Sequence, residues 1–184
     1  MPACEPTRAS AATGSVSDRT SLGALVVLAA RRLVLGADVA AAKFLSGDPI
    51  DDPVREQEIL ESVQNSLKRA ELRHALGIEF FLDQIEANKV IQGGLHQYWG
   101  THPEAFPVRQ RHLTAELRPK LDIVNRRMLV LLIYMENMPP VRRSHIDGLF
   151  DRRLRTSTAL RQVAWLRRDA ADIALRSLYS HPRL

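Results

Sequence analysis

The sequence predicts an all-α protein, a single helical-bundle domain of about six helices. Three observations carry this. Ala, Leu, Arg and Glu dominate the 184 residues, while aromatics make up 5% and strand-like runs of Val, Ile and Thr are scarce. Apolar residues recur at helical spacing rather than in alternation. Cap and breaker residues divide the chain into helical lengths. Apolar (45%) and charged (26%) contents are those of an ordinary globular protein.

Residues 1–17 are small, polar and Pro-containing, and read as a disordered lead-in without an apolar signal core. The helical domain is expected over 18–184, with a core at 18–138 and accessory C-terminal helices at 141–180. Asp18 is the expected N-cap of a first helix to about Ser46, ended by Gly47-Asp48-Pro49. Asp52-Pro53 restarts the chain as cap and first helical residue, for a helix to about His74. Gly77 marks a break, and a third helix is expected over 78–98. Residues 99–113, with Gly100, Pro103 and Pro107, read as a loop. Thr114 is the expected cap of a fourth helix that ends before Pro139-Pro140. Two further helices are expected near 144–157 and 159–179.

Several function classes find no support. The lone cysteine, Cys4, rules out an internal disulfide. The six histidines lack metal-ligand spacing; a probable helix end separates His96 from His102, so no metal site is expected. No run of 18 apolar residues exists, so no membrane span is expected. The net charge of +5 is uneven: residues 141–184 hold ten Arg and four Asp. This reads first as a solvated arginine-rich helical surface. It leaves open a non-catalytic helical binding module whose basic C-terminal surface takes an acidic partner or nucleic acid. No zinc-finger pattern, aromatic RNA-binding motif or recognition helix accompanies the charge, so nucleic acid is not the expected partner.

The first helix breaks its own pattern. With Arg32 set at zero and about 100° per residue, Leu25 and Lys43 lie at about +20°, Val39 at about −20° and Gly36 at about +40°. Arg32 and Lys43 therefore sit inside the apolar stripe, about 16 Å apart on one face. One such cation is ordinarily a snorkelling side chain. Two in register, beside the small Gly36 and Ala29, ask for something anionic to face them, a carboxylate from another helix or a ligand. Asp52, Arg55 and Glu56 open the second helix on adjacent turns, as a charge-paired helix start or as part of a site. Gln84, Asn88 and Gln92 make an amide stripe on the third, exposed or turned into the bundle. Arg118 lies in the expected first turn of the fourth helix, where the dipole gives a cation no help but an anion would gain from free N–H groups.

These residues resemble the AroQ-type chorismate mutases, in particular their exported gamma subclass, from about Leu22 to Leu132. The resemblance is carried by Arg-Leu at 32–33, Asp-Val-Ala-Ala-Ala-Lys at 38–43, Asp-Pro-Val-Arg-Glu at 52–56 and Asp-Gln-Ile-Glu-Ala-Asn-Lys-Val-Ile-Gln at 83–92. Leu-Arg-Pro-Lys-Leu at 117–121 and Asn-Arg-Arg-Met-Leu at 125–129 complete it. It implies a chorismate mutase II-like bundle that rearranges chorismate to prephenate without cofactor or metal. It implies Arg32 and Arg118 as grips on substrate carboxylates, Arg55 on the carboxyl-bearing side, and Lys43 and Gln92 on the ether oxygen. Glu56 and Asp52 would address the substrate hydroxyl. Asn88 joins the substrate-binding set where other members carry a small hydroxyl residue. The resemblance further implies a periplasmic or secreted protein and a homodimer with a complete site in each chain. The C-terminal disulfide frequent in the subclass is denied to this chain. A degenerate mutase kept as a sensor is the remaining alternative.

Overall fold

The computed structural model describes residues 16–70, 75–107, 112–135 and 141–180, which contain helices and no strands. Eight α-helices run in order: α1 Val16–Ser46, α2 Pro53–Arg69, α3 Ala75–Thr101, α4 Arg118–Tyr134, α5 Asp147–Leu154, α6 Thr158–Gln162, α7 Ala164–Ala174 and α8 Arg176–Ser180. The lead-in up to residue 15 lies outside the described residues, as do the expected ends of the second and fourth helices at 71–74 and 136–138.

Helices α1 and α3 are the axis of the bundle. Leu25, Val26, Ala29, Ala30, Leu33 and Ala40 on α1 are fully buried, as are Phe80, Ile91 and Leu95 on α3. Helix α4 packs on α1, α2 lies along α3, and α5 to α8 fold back over both central helices. Burial of these apolar faces, rather than helix propensity, supplies most of the stability of such helices.

Local chemistry accounts for the ends that match expectation. Gly47, at φ 74°, closes α1 in the left-handed region, with its N–H on the Lys43 carbonyl at 2.9 Å. Asp52 caps α2 by accepting the Arg55 N–H at 3.2 Å, with Pro53 in the first turn.

Five expectations need correction. Helix α1 starts at Val16, so Asp18 lies within its first turn instead of capping it. Gly77 does not break the chain but lies inside α3: a Cβ there would meet Leu67 Cδ1 at 2.8 Å, so the glycine serves close approach of α2 and α3. Gly94 does the same against Leu166 of α7, at 2.6 Å, and α3 runs on to Thr101 through residues expected as loop. Thr114 is not a cap: a π-helical turn, Leu113–Leu117, leads into α4, and the Glu116 and Leu117 N–H groups both bond to the His112 carbonyl.

The fifth correction concerns the C-terminal region. The helix expected over 159–179 is three segments, and at its breaks side chains satisfy backbone groups. Arg167, buried to 6%, donates to the carbonyls of Leu160 (2.7 Å) and Arg161 (3.0 Å), at the end of α6. Asp83 of α3 accepts the Ser177 N–H at 2.8 Å and takes Arg176 Nε at 3.0 Å, holding the start of α8. Among the described residues the arginine-rich surface is solvated except at Arg167: Arg152, Arg153, Arg161 and Arg168 are exposed, and so are Arg143, paired with Asp172, and Arg155, paired with Asp151.

Candidate active site

A cavity of about 640 Å³, its open mouth included, lies between α1, α2, α3 and the start of α4. Its wall contains Arg32, Lys43, Asp52, Arg55, Glu56, Asn88, Gln92 and Arg118, all eight residues to which the resemblance gives a part in the site. Val39, Ile50, Ile59, Ile85, Leu113 and Leu121 supply its apolar surface.

Each polar residue has a definite setting. Arg32 is 3% exposed; its Nη1 donates to the Gln84 carbonyl at 2.6 Å and its Nε to Asn125 Oδ1 at 3.0 Å. Burial, and then the nearby Arg55 charge, pull its pKa down to about 10. Lys43 is 6% exposed and donates to the carbonyls of Pro49 and Ile50, each at 2.8 Å. These carbonyls follow Gly47, whose positive φ ends α1. Burial lowers the Lys43 pKa against the raising influence of Asp52, Asp48 and Glu56, while Arg118 adds to the lowering.

The rim is more exposed and internally paired. Arg118 donates to Asp52 Oδ2 at 3.1 Å. Arg55 donates to Glu58 at 2.8 Å and to Asp122; burial opposes its charge, but these bonds outweigh it and raise its pKa. Lys89 bridges Asp51 and Glu56, both at 2.9 Å, which raises its pKa. On α3, Gln92 is 4% exposed with a buried Oε1 that has no hydrogen-bond partner, and Asn88 Oδ1 is likewise buried and unpartnered. Asn88 lies against the bare backbone of Gly36, where a Cβ would come to 1.8 Å from its Oδ1. Gln84, by contrast, leaves the stripe: its side chain donates to the Ala174 carbonyl at 2.8 Å and ties α3 to α7.

The wall carries five basic and two acidic side chains, so it favours an anion. The two deepest cations, Arg32 and Lys43, hydrogen-bond only to neutral oxygens among the described residues. The N–H groups expected to assist at Arg118 are taken, however, since its own amide bonds to the Leu113 carbonyl. Sequence reasoning assigned no role to Lys89 or Asn125. Asn125 lies seven residues after Arg118, about −20° around α4, a spacing that places both on one face. Lys89 lies one i, i+3 step before Gln92.

A sequence model of the family described as chorismate mutase type II matches residues 23–93, which contain every singled-out residue except Arg118. A secreted chorismate mutase of Mycolicibacterium smegmatis is 35% identical over 115 residues, 62% of this chain and 63% of that protein. The chain thus aligns with a little under two thirds of that relative's length. A chorismate mutase of Methanocaldococcus jannaschii is 37% identical over 68 residues, 37% of this chain and 69% of that protein. The crystal structure of a chorismate mutase from Burkholderia thailandensis superposes with a TM-score of 0.69 at 28% identity, covering 86% of this chain and 99% of that one.

Proposed function

We propose that this chain, which belongs to the chorismate mutase family, rearranges chorismate to prephenate in the cavity between α1 and α4. One observation carries the reading: Arg32 and Lys43 are buried cations, held among the described residues by neutral oxygens alone, that face the same hollow. Buried charge without a counter-charge is costly, and a small dianion supplies the missing charge.

The reaction is a [3,3] shift. A carbon–carbon bond forms as the ether carbon–oxygen bond breaks, and no atom or electron is gained or lost. The protein's work is to hold the compact chair conformer and to stabilise negative charge at the ether oxygen. Arg32 grips one carboxylate through the N–H groups its tethers leave over. Arg118 takes the other and shares its charge with Asp52. Arg55 supports the carboxyl-bearing side from the rim. Lys43 uses its remaining N–H on the ether oxygen, and the Gln92 amide serves the same atom. Glu56 and Asp52 take the hydroxyl, with Asn88 beside them, and Ile85, Val39 and Leu121 shape the apolar wall.

The same reading places the protein outside the cytoplasm, in the periplasm or secreted, as the name of the Mycolicibacterium smegmatis relative suggests. The resemblance to the exported subclass adds a homodimer to this reading, and a cavity whose wall comes from a single chain fits one complete site in each protomer. The test is loss of chorismate absorbance with purified protein. Turnover by the unmodified chain, and a fall of about 100-fold or more in kcat/KM for Arg32→Ala, are expected. An unmodified chain without turnover overturns the reading.

A further inference from the structure

Arg32 owes its position to two groups from other helices, and both are neutral. The Gln84 carbonyl is backbone and cannot vary with sequence. Asn125 is a side chain on α4, outside the matched residues 23–93. An amide oxygen and a carboxylate oxygen have nearly the same size and reach, so an aspartate would fit the same place and accept the same N–H. Elsewhere in this protein arginines do take carboxylates: Arg167 has Asp151, Arg176 has Asp83 and Arg143 has Asp172. For folding alone, a carboxylate beside the buried Arg32 would be the better partner.

We propose that Asn125 is a positioning residue that aims the Arg32 guanidinium while leaving its positive charge uncancelled for the substrate. The proposal rests on the mutase reading of the cavity. Two properties of the amide matter separately. Its oxygen holds Nε, so that the outer N–H groups face the hollow in one orientation. Its neutrality keeps the field of Arg32 directed at a ligand carboxylate instead of spent within the protein. Lys43 follows the same rule, with two backbone carbonyls and no carboxylate within bonding distance among the described residues.

The experiment compares Asn125→Asp and Asn125→Ala with the unmodified chain in thermal unfolding without ligand, thermal unfolding with chorismate, and initial rates. Asn125→Asp is expected to unfold at the same or a higher temperature without ligand. It should nevertheless raise KM about tenfold or more and lose most of the stabilisation by chorismate. Asn125→Ala should lose aim without gaining a counter-charge, with kcat falling more than KM rises. A merely structural role would move stability and function together; opposite signs in Asn125→Asp separate the two. The proposal is overturned if Asn125→Asp unfolds at a lower temperature without ligand, or if it keeps the KM and ligand stabilisation of the unmodified chain. A chain that is stabilised by chorismate but does not convert it overturns the mutase reading instead, and the aspartate comparison still decides the role of Asn125.

Discussion

Two arginines are buried among the described residues, and they are buried differently. Arg167, 6% exposed on α7, meets the Asp151 carboxylate at 2.9 Å and the carbonyls of Leu160 and Arg161. Burial alone would raise the Asp151 pKa, but the bonds from Arg167 and Arg155 hold it below the usual range. The C-terminal site is electrically closed. Arg32, 3% exposed on α1, has a carbonyl and an amide, and its guanidinium borders a cavity instead of a carboxylate. A buried cation with a carboxylate partner is structure; one with neutral partners beside a hollow is capacity for an anion.

The largest expected effect tests whether Lys43 belongs to the same class as Arg32. Its gain is greatest when charge has developed at the ether oxygen, so Lys43→Ala should cut kcat about 100- to 1000-fold while KM changes far less. Steady-state kinetics on chorismate checks this, and a kcat within a factor of two of the unmodified chain removes Lys43 from the role.

A second measurement sharpens the contrast directly. Arg167→Met leaves Asp151 with Arg155 alone and strands two carbonyls, and should cost about 2–3 kcal/mol, a fall of roughly 5–10 °C in Tm, with kcat/KM of the folded enzyme kept. Arg32→Met removes an uncompensated charge instead, so its Tm should hold or rise while activity disappears. Equal losses of Tm in the two variants would erase the distinction.

The smallest effects lie in the pH profile. Gln92 donates without a titratable proton, so activity should persist at neutral pH. Gln92→Glu must be protonated to donate, so its optimum should move to acid; an unmoved profile argues against contact with the ether oxygen. At the alkaline end, burial lowers the Lys43 pKa below 10.5. In the window between its folded value and 10.5 the unfolded chain binds more protons than the folded one. The Lys43 contribution to stability therefore rises with pH there, while activity falls as the ammonium is lost. A profile whose rate stays flat up to pH 10.5 contradicts the role of the charge.

Much of the fold was legible because its signals are local. Asp52-Pro53 and Gly47 end and start helices through their own dihedrals and side chains, and both act as expected. Gly77 and Thr114 misled for a common reason. A glycine can mark a turn or a close helix contact, and a threonine can cap or simply lie in a π-helical turn; only the neighbour decides. The break at Leu175 depends on Asp83, 94 residues from the Ser177 amide it accepts, and no local pattern announces that.

The sequence by itself determined that the protein is helical, where α1 ends and α2 begins, and that Arg32 and Lys43 share an apolar stripe of α1. Periodicity and side-chain charge are properties of the local chain. Only the tertiary structure decided that these cations face one hollow, that Asn125 and the Gln84 carbonyl, 93 and 52 residues from Arg32, hold it, and that Arg167 is closed off by Asp151. The reason is electrostatic: the worth of a buried charge is set by what lies within a few ångströms in space, and chain order does not encode that distance.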